Sequence, residues 1–248
     1  PTVTQLQGIA YANVGDMKSW GEELSISSTN IKTKDFSWQT SFIYSHNRTE
    51  ITNLYNQGRV IDLVRGNGFA KQGYPARALF SIPFVGISSQ GYPIVINEKG
   101  EQTVGDINFQ ERNNTDYLKY EGSTDPIYNG SLGNVFSYKG FHLNVFLTYA
   151  FGNVVRLDPV FSAKYNDLTS MTHSFVNRWM QPGDENITNV PGIVSKYEYE
   201  KNSNLLSTAY NAYNYTSVRT AKGDFIRMKE ISLAYDFPRQ WFEGSAVN

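Results

Sequence analysis

Residues 128–151 of this chain read YNGSLGNVFSYKGFHLNVFLTYAF and decide its fold. In the second half of the stretch, apolar residues alternate with polar or small ones. The apolar set is Phe141, Leu143, Val145, Leu147, Tyr149 and Phe151, and the opposite set includes His142, Asn144, Phe146, Thr148 and Ala150. Successive side chains of a β-strand point to opposite faces. The stretch therefore predicts two antiparallel strands joined by a tight turn at Tyr138-Lys139-Gly140.

The same alternation recurs in three other segments: Trp20–Lys32, Asp35–Ser45 and Asp224–Phe237. A strand of about 9–11 residues with one apolar and one polar face is the unit of an outer-membrane β-barrel. A soluble β-sandwich shows similar alternation, with its apolar face buried instead of facing lipid. Alternation alone therefore leaves both architectures open.

The composition narrows the class of protein. The chain has 248 residues and a net charge of −1, with 18% charged and 15% aromatic residues. Low charge with many Tyr and Phe suits a wall that faces lipid, and it also suits a carbohydrate-binding β-domain. The near-neutral charge argues against a nucleic-acid partner. The absence of cysteine excludes a disulfide scaffold and thiolate chemistry.

Short and long connections alternate along the chain. A tight turn at 32–35 and another at 138–140 contrast with two long stretches, roughly 47–128 and 153–223. Outer-membrane barrels combine short periplasmic turns with long extracellular loops. We therefore expect both long loops to lie on one side of the sheet. Within them we predict a strand or loop arm at Ala78–Ile87, a helix at Ser162–Met180 and irregular structure at Lys201–Thr216.

No catalytic constellation is evident in the sequence. His46, His142 and His173 lack metal-ligand spacing, and no nucleophile elbow, phosphate-binding loop or dinucleotide fingerprint occurs. A glycoside hydrolase would need a carboxylate pair that no spacing indicates. We therefore predict no catalytic residue, no cofactor and no metal, and we interpret His142 as a side chain that faces the barrel lumen.

Five segments resemble, in order, the SusC/RagA family of TonB-dependent outer-membrane transporters of Bacteroidetes. The most extensive is Asp125–Phe141, which resembles the family's late barrel hairpin. The others are Gly15–Leu24 with Thr33–Trp38, Gly73-Tyr74-Pro75, Asn177-Arg178-Trp179 and Lys222–Tyr235. The resemblance covers about Gly15 to Phe237.

The resemblance implies the domain organisation. The family has an N-terminal plug domain, a segment that contacts TonB and a complete barrel. We expect residues 1–248 to be one partial barrel domain of about five strands, without the plug and without the final strands. Five strands cannot close a barrel, and open edges are not tolerated in lipid. The chain is therefore expected to be the C-terminal-side part of a longer barrel.

The resemblance also implies a function in the bacterial outer membrane. The whole protein would import glycans or peptides, with energy supplied by TonB through the plug and a SusD-like surface lipoprotein on the long loops. Candidate substrate contacts are the loop aromatics Tyr74, Tyr92, Trp179, Tyr197 and Tyr210. The alternative is a secreted soluble β-sandwich that binds carbohydrate.

Overall fold

The computed structural model describes residues 15–66, 70–159 and 173–242. The strands, in chain order, are β1 (Gly15–Lys32), β2 (Phe36–Leu54), β3 (Ala78–Ser81), β4 (Phe84–Ile87), β5 (Pro93–Ile96), β6 (Gln102–Thr103), β7 (Lys119–Ser123), β8 (Tyr128–Tyr138), β9 (Phe141–Phe151), β10 (Val154–Arg156), β11 (Thr220–Lys222) and β12 (Phe225–Tyr235). The α-helices are α1 (Val60–Arg65), α2 (Lys196–Lys201) and α3 (Ser203–Asn214). None of the helices in these ranges combines the length and hydropathy needed to cross a membrane.

The main sheet has five antiparallel strands in the order β1-β2-β8-β9-β12. Residues directly opposite each other on neighbouring strands share a face of the sheet. One apolar row therefore crosses all five strands and consists of Ile26, Phe42, Leu132, Leu147 and Met228. The next row, on the other face, consists of Ser27, Ser41, Gly133, Phe146 and Glu230. The predicted hairpins and their two faces are confirmed.

Two β-bulges keep the apolar residues on one face. In β12, Ile226 and Met228 occupy even positions, whereas Ile231, Leu233 and Tyr235 occupy odd ones. Strict alternation would place these two sets on opposite faces. A register shift between Met228 and Glu230 leaves Lys229 unpaired, so both sets reach the same face. A shift between Thr29 and Ile31 does the same for Ile31 in β1.

The apolar face of the main sheet is uncovered among the described residues. Leu24, Ile231 and Leu233 expose 50%, 62% and 69% of their surface. A soluble sandwich would bury these side chains against a second sheet. The prediction of an all-β partial transmembrane barrel is confirmed, and the sandwich alternative does not fit an apolar face that is left open.

Aromatic side chains concentrate at the two ends of the apolar face. At the loop end, Tyr44 and His46 lie against Tyr128, with ring centroids 6.3 and 5.0 Å apart. At the turn end, the ring centroids of Phe141 and Tyr235 are 4.4 Å apart, and those of Tyr235 and Phe237 are 5.1 Å apart. Aromatic girdles flanking an aliphatic band mark the two lipid–water interfaces of outer-membrane barrels.

The connections between main-sheet strands have the predicted asymmetry. Lys139 and Gly140 both have positive φ, 46° and 87°, which fits the two-residue turn favoured in hairpins. The first hairpin extends beyond the predicted segments, because β1 begins at Gly15 and β2 continues to Leu54. The alternation fades after Ser45, yet the β1–β2 ladder continues past the loop-end girdle. The long loops are therefore residues 55–127 (the first loop) and 152–224 (the second loop).

The two long loops lie at the same end of the sheet, as predicted, and pack into one unit, here called the loop body. Its larger apolar cluster combines α1, β3 and β5 of the first loop with Ala212 of α3 from the second. Its smaller cluster is built around Leu206, Tyr210 and Tyr213 of α3, against which Phe84 and Val104 of the first loop pack. The core of the described structure therefore lies in the loops, whereas the main sheet has an apolar face but no core of its own.

The predictions inside the loops had mixed outcomes. The Ala78–Ile87 prediction is confirmed, because the segment forms β3 and β4. The irregular structure predicted for Lys201–Thr216 is wrong: Ser203–Asn214 is α-helical and buries Leu206, Ala209 and Tyr213 at helical spacing. Most of the helix predicted at Ser162–Met180 lies outside the described residues, and the described part contains a 3₁₀ helix at His173–Asn177.

Candidate functional site

The polar face of the main sheet carries hydroxyl and amide groups at mid-strand. Asn144 donates a hydrogen bond to Glu230 Oε1 at 3.1 Å, and Ser232 donates to the same oxygen at 2.9 Å. A shallow depression of about 250 Å³ on this part of the sheet is lined mainly by β1, β2, β8 and β9. Its lining residues are Ser27, Ser28, Thr29, Gln39, Thr40, Ser41, Gly133, Val135, Asn144 and Phe146. Such a surface can solvate a polar solute through hydrogen bonds.

A serine, a histidine and an aspartate form a hydrogen-bonded line near the turn end of the same face. Ser137 Oγ lies 2.8 Å from His142 Nδ1, and His142 Nε2 lies 3.0 Å from Asp236 Oδ2. The sequence analysis missed this line because Asp236 is 94 residues from His142. Ser137 sits inside β8 and pairs on both sides, with Ser37 and with His142. The surrounding strand N–H groups serve the ladders, so this geometry offers no oxyanion hole of the kind that acyl transfer requires.

Arg156 joins the two loops at the centre of the loop body. Its guanidinium donates to the backbone oxygens of Thr216 at 2.8 Å, Val64 at 3.1 Å and Phe80 at 2.6 Å. Val64 lies in the last turn of α1, where helix carbonyls lack a partner within the helix. The second loop therefore caps a helix of the first. Burial lowers the pKa of Arg156 to about 10, so the guanidinium remains charged at neutral pH.

Backbone hydrogen bonds strengthen this junction. Ile82 N–H donates to Tyr215 O at 2.9 Å, and Ser217 N–H donates to Ile82 O at 3.2 Å. Within the second loop, Arg219 donates a hydrogen bond to Asp158 O at 2.6 Å, and burial lowers the pKa of this guanidinium too. No local sequence signal marks Arg156 as a junction residue, since its partners are 60 to 92 residues away.

Trp179 forms a second contact between the two loops. Its indole ring lies between Gly91 of the first loop and Gly192 of the second, and a Cβ placed on these glycines would come within 2.4 and 2.9 Å of the ring. The indole N–H donates to Glu185 Oε2 at 3.0 Å. Gly192 N–H donates to Gly91 O at 2.9 Å, directly beside the ring. Glycine is required on both sides because a side chain would occupy the space of the indole.

The five candidate aromatics have different surroundings. Tyr92, Trp179 and Tyr210 come together around the Gly91–Gly192 contact, and Tyr210 donates to Gly192 O at 2.6 Å. Tyr210 is only 1% exposed and burial raises its pKa, so the ring packs in the core of the loop body, and its role as a substrate contact remains an untested prediction. Tyr92 and Trp179 are half-buried. Burial, followed by the Glu198 carboxylate, raises the pKa of Tyr92.

The other two candidates lie apart from this group. Tyr74 is half-buried, 4.9 Å from the Phe80 ring and 5.0 Å from the Tyr120 ring. Tyr197 exposes 71% of its surface on α2. As substrate contacts, Tyr74, Tyr92, Trp179 and Tyr197 remain predictions.

A cleft of about 430 Å³, here called the rim cleft, opens where the loop end of the β1–β2 hairpin meets the first loop. It is lined by Trp20, Asn47, Arg48, Thr49, Glu50, Gly73, Pro75, Tyr120, Ser123, Asp125, Pro126 and Ile127. Its volume is within the range of small-ligand sites, and it combines aromatic rings with charges of both signs. No single stretch of sequence indicates this cleft, because its walls come from four separate segments, at residue 20 and at 47–50, 73–75 and 120–127. No group of three or more acidic or histidine side chains suited to a metal occurs in the described ranges.

The geometry defines part of a β-barrel wall with one lipid-facing surface, and comparisons with known proteins show which proteins it resembles. No protein-family model matches the chain. The chain is 26% identical to TonB-dependent receptor P39 of Formosa agariphila over an alignment 267 positions long, which covers 91% of this chain and 24% of the relative. It is 24% identical to TonB-dependent receptor P3 of the same organism over an alignment 250 positions long, which covers 92% of this chain and 22% of the relative.

Solved structures show the same fold. The RagAB peptide transporter matches with a TM-score of 0.65 and 21% identity, over 94% of this chain and 24% of that one. The RagAB peptide importer in the closed-closed state matches with a TM-score of 0.65 and 23% identity, over 96% and 25%. The resemblance to SusC/RagA-type TonB-dependent transporters is thereby confirmed. The chain spans about a quarter of the length of the relatives it matches.

Proposed function

We propose that the whole protein imports an oligomeric nutrient, a glycan or a peptide, across the bacterial outer membrane in a TonB-dependent manner. Residues 1–248 form one partial barrel domain in this proposal. A plug domain outside this segment receives energy from TonB, and a SusD-like lipoprotein associates with the loop body. The sequence relatives are named TonB-dependent receptors, and the structural neighbours are RagAB peptide transporters. These likenesses support the class of function and leave the substrate open between glycan and peptide.

The observation that carries this proposal is the co-folding of two long loops above a lipid-facing wall. The loops join through Arg156, through the Ile82–Tyr215 and Ile82–Ser217 hydrogen bonds and through a shared apolar core. A loop body held this firmly can present a fixed surface at the extracellular mouth of a barrel. A wall that only had to span the membrane would need no such structure.

The rim cleft is the proposed place of first contact with the nutrient. Trp20 and Tyr120 offer aromatic faces, which suit the apolar face of a sugar ring or an apolar peptide side chain. Arg48 and Glu50 offer one charge of each sign, which suits a peptide backbone terminus or side chain. The polar face of the sheet provides hydroxyl and amide groups along the inner wall.

Hydrolysis of the nutrient is not part of the proposal. The relatives are receptors and transporters. The only serine–histidine–aspartate line noted among the described residues places Ser137 within a fully paired strand. The nutrient is therefore proposed to pass unchanged.

Uptake in cells that carry the complete gene tests the proposal. Labelled oligosaccharides and labelled peptides should be supplied to cells with and without functional TonB, and the tagged protein should be purified from the outer membrane. We expect uptake of one of the two ligand classes, its loss without TonB, co-purification of a surface lipoprotein and no cleavage by the purified protein. Uptake that persists without TonB, or cleavage by the pure protein, would contradict the proposal.

A further inference from the structure

The end of the main sheet opposite the loops carries a cluster of basic side chains. Lys32 and Lys34 belong to the first short turn, and Lys139 belongs to the second. The two turns are tied together, because Lys139 N–H donates to Asp35 O at 3.1 Å. A cleft of about 330 Å³ lies between them. It is lined by Lys32, Thr33, Lys34, Asp35, Phe36, Ser37, Ser137, Tyr138, Lys139 and Gly140.

The three ammonium groups lack ion-pair partners within the described part of the chain. The salt bridges found there involve other lysines, namely Lys71, Lys99, Lys119 and Lys196. Asp35 contributes the one carboxylate among the cleft-lining residues. The cleft therefore has an excess of positive charge.

This cluster lies next to the aromatic girdle at the turn end. Tyr138 and Phe141 expose 51% and 48% of their surface, and Lys139 Nζ lies 5.4 Å from the centre of the Tyr138 ring. Trp241 continues the girdle, 5.9 Å from Phe237. Because aromatic girdles lie at the level of lipid headgroups, the lysines are placed where the phosphates of the adjoining leaflet lie.

The loop end of the sheet lacks this bias. Beyond the loop-end girdle, Lys18 lies opposite Glu50, and Asp16 and Arg48 add one charge of each sign. Charges of both signs alternate there. An excess of positive charge at the turn end alone indicates attraction to a negatively charged surface on that side.

We propose that the turn end binds the headgroup of an anionic phospholipid in the periplasmic leaflet, with Lys32, Lys34 and Lys139 around the phosphate and Tyr138 against the upper acyl chain. The proposal rests on the orientation adopted under the proposed function, with turns periplasmic and loops extracellular. It is separate from the transport mechanism, since these residues lie at the end of the sheet opposite the loop body.

Native mass spectrometry of the full-length protein in mild detergent tests the proposal. The protein is exposed to phosphatidylglycerol and to phosphatidylethanolamine with identical acyl chains, and bound lipid is counted. The test variant is Lys32→Gln/Lys34→Gln/Lys139→Gln. One matched control, Lys99→Gln/Lys119→Gln/Lys196→Gln, makes the same change of charge on the loops. A second control replaces the three turn lysines by arginine and preserves the charge.

We expect the preference for phosphatidylglycerol to fall at least about fivefold in the turn variant, since each surface lysine favours an anionic membrane by about that factor. Both controls should keep the wild-type preference. An unchanged preference in the turn variant, or an equal fall in the loop control, would overturn the proposal. If the turn variant does not fold, the arginine variant and the wild type serve instead. Their preference should weaken as salt is raised, and a salt-independent preference would overturn the proposal.

The uptake assay separates this proposal from the proposed function. Loss of lipid preference with normal TonB-dependent uptake supports the lipid site and leaves transport intact. Loss of uptake with unchanged lipid preference would overturn the lipid site and assign the lysines to contact with a protein.

Discussion

Arg156 offers a direct test of whether the two loops form one unit. Replacing Arg156 with Met removes three charged hydrogen bonds, to Thr216 O, Val64 O and Phe80 O. Hydrogen bonds of this kind contribute about 1.5–3 kcal/mol each, so the gross loss is about 5–9 kcal/mol. Met also avoids the cost of burying the guanidinium. That cost is about 3 kcal/mol, as judged from the pKa lowered from 12.5 to about 10. The expected net loss of loop-body stability is about 2–6 kcal/mol.

Hydrogen exchange of the full-length protein, followed by mass spectrometry, measures this loss. Amides in α1, β3 and residues 215–219 should exchange at least about 30-fold faster in Arg156→Met. The reason is that the free energy of local opening would fall by at least about 2 kcal/mol. Amides in β9 and β12 should keep their protection. Arg156→Lys should show an intermediate effect, since a single ammonium keeps the charge but cannot reach all three carbonyls.

The result that would refute this reasoning is faster exchange confined to the second loop. If α1 of the first loop kept its wild-type protection in Arg156→Met, the loops would fold independently. Uniform loss of protection through β9 and β12 would also refute it, because the loop body would then be inseparable from the barrel wall.

Three further predictions concern the wall and the loop contact. Leu147→Arg should lower the stability of the folded barrel by about 2–4 kcal/mol and reduce the folded, heat-modifiable form on gels, because Leu147 faces lipid. Thr148→Arg, on the polar face, should fold normally. Equal tolerance of the two changes would contradict the assigned faces. Gly91→Ala should lower the melting temperature of the loop body more than Gly100→Ala; both glycines have similar positive φ, 84° and 79°, but only at Gly91 does a Cβ meet an indole ring. Deleting Lys229 should leave insertion intact, because Met228 and Glu230 then follow each other in strict alternation and keep their partners on β9; Lys229→Ala keeps the bulge and should also insert. Failure of the deletion variant to insert would contradict the bulge, because in a strand without it the deletion would turn the end of β12 inside out.

The wall was predictable because its signal is local. Alternation over about ten residues records a strand with two different faces, as at Phe141–Phe151, and short turns fix which strands are neighbours. The sequence of β12 also contains a signal for the bulge at Lys229, because its apolar residues change from even to odd positions there. The position of the bulge follows only from the register with β9.

The loop body was not predictable in the same way. Arg156 has no local pattern that marks it, and its partners lie 60 to 92 residues away. Tyr210 is one of the loop aromatics predicted to contact substrate, yet α3 buries it, because the Asn-, Ser- and Tyr-rich segment folds as a helix against the first loop. The rim cleft likewise depends on contacts among β1, β2 and the first loop that no single segment encodes.

The central claim is that this chain is a barrel wall with one lipid face, and a spin-label scan of β12 tests it most directly. Single cysteines are introduced from Phe225 to Tyr235, in a chain that has none of its own, within the full-length protein in a bilayer. Accessibility to oxygen, which concentrates in lipid, is compared with accessibility to a water-soluble nickel complex. The account predicts oxygen maxima at Ile226, Met228, Ile231, Leu233 and Tyr235, so that the alternation changes phase at Lys229. Uniform access to the nickel complex, or alternation that runs through Lys229 without a change of phase, would contradict it.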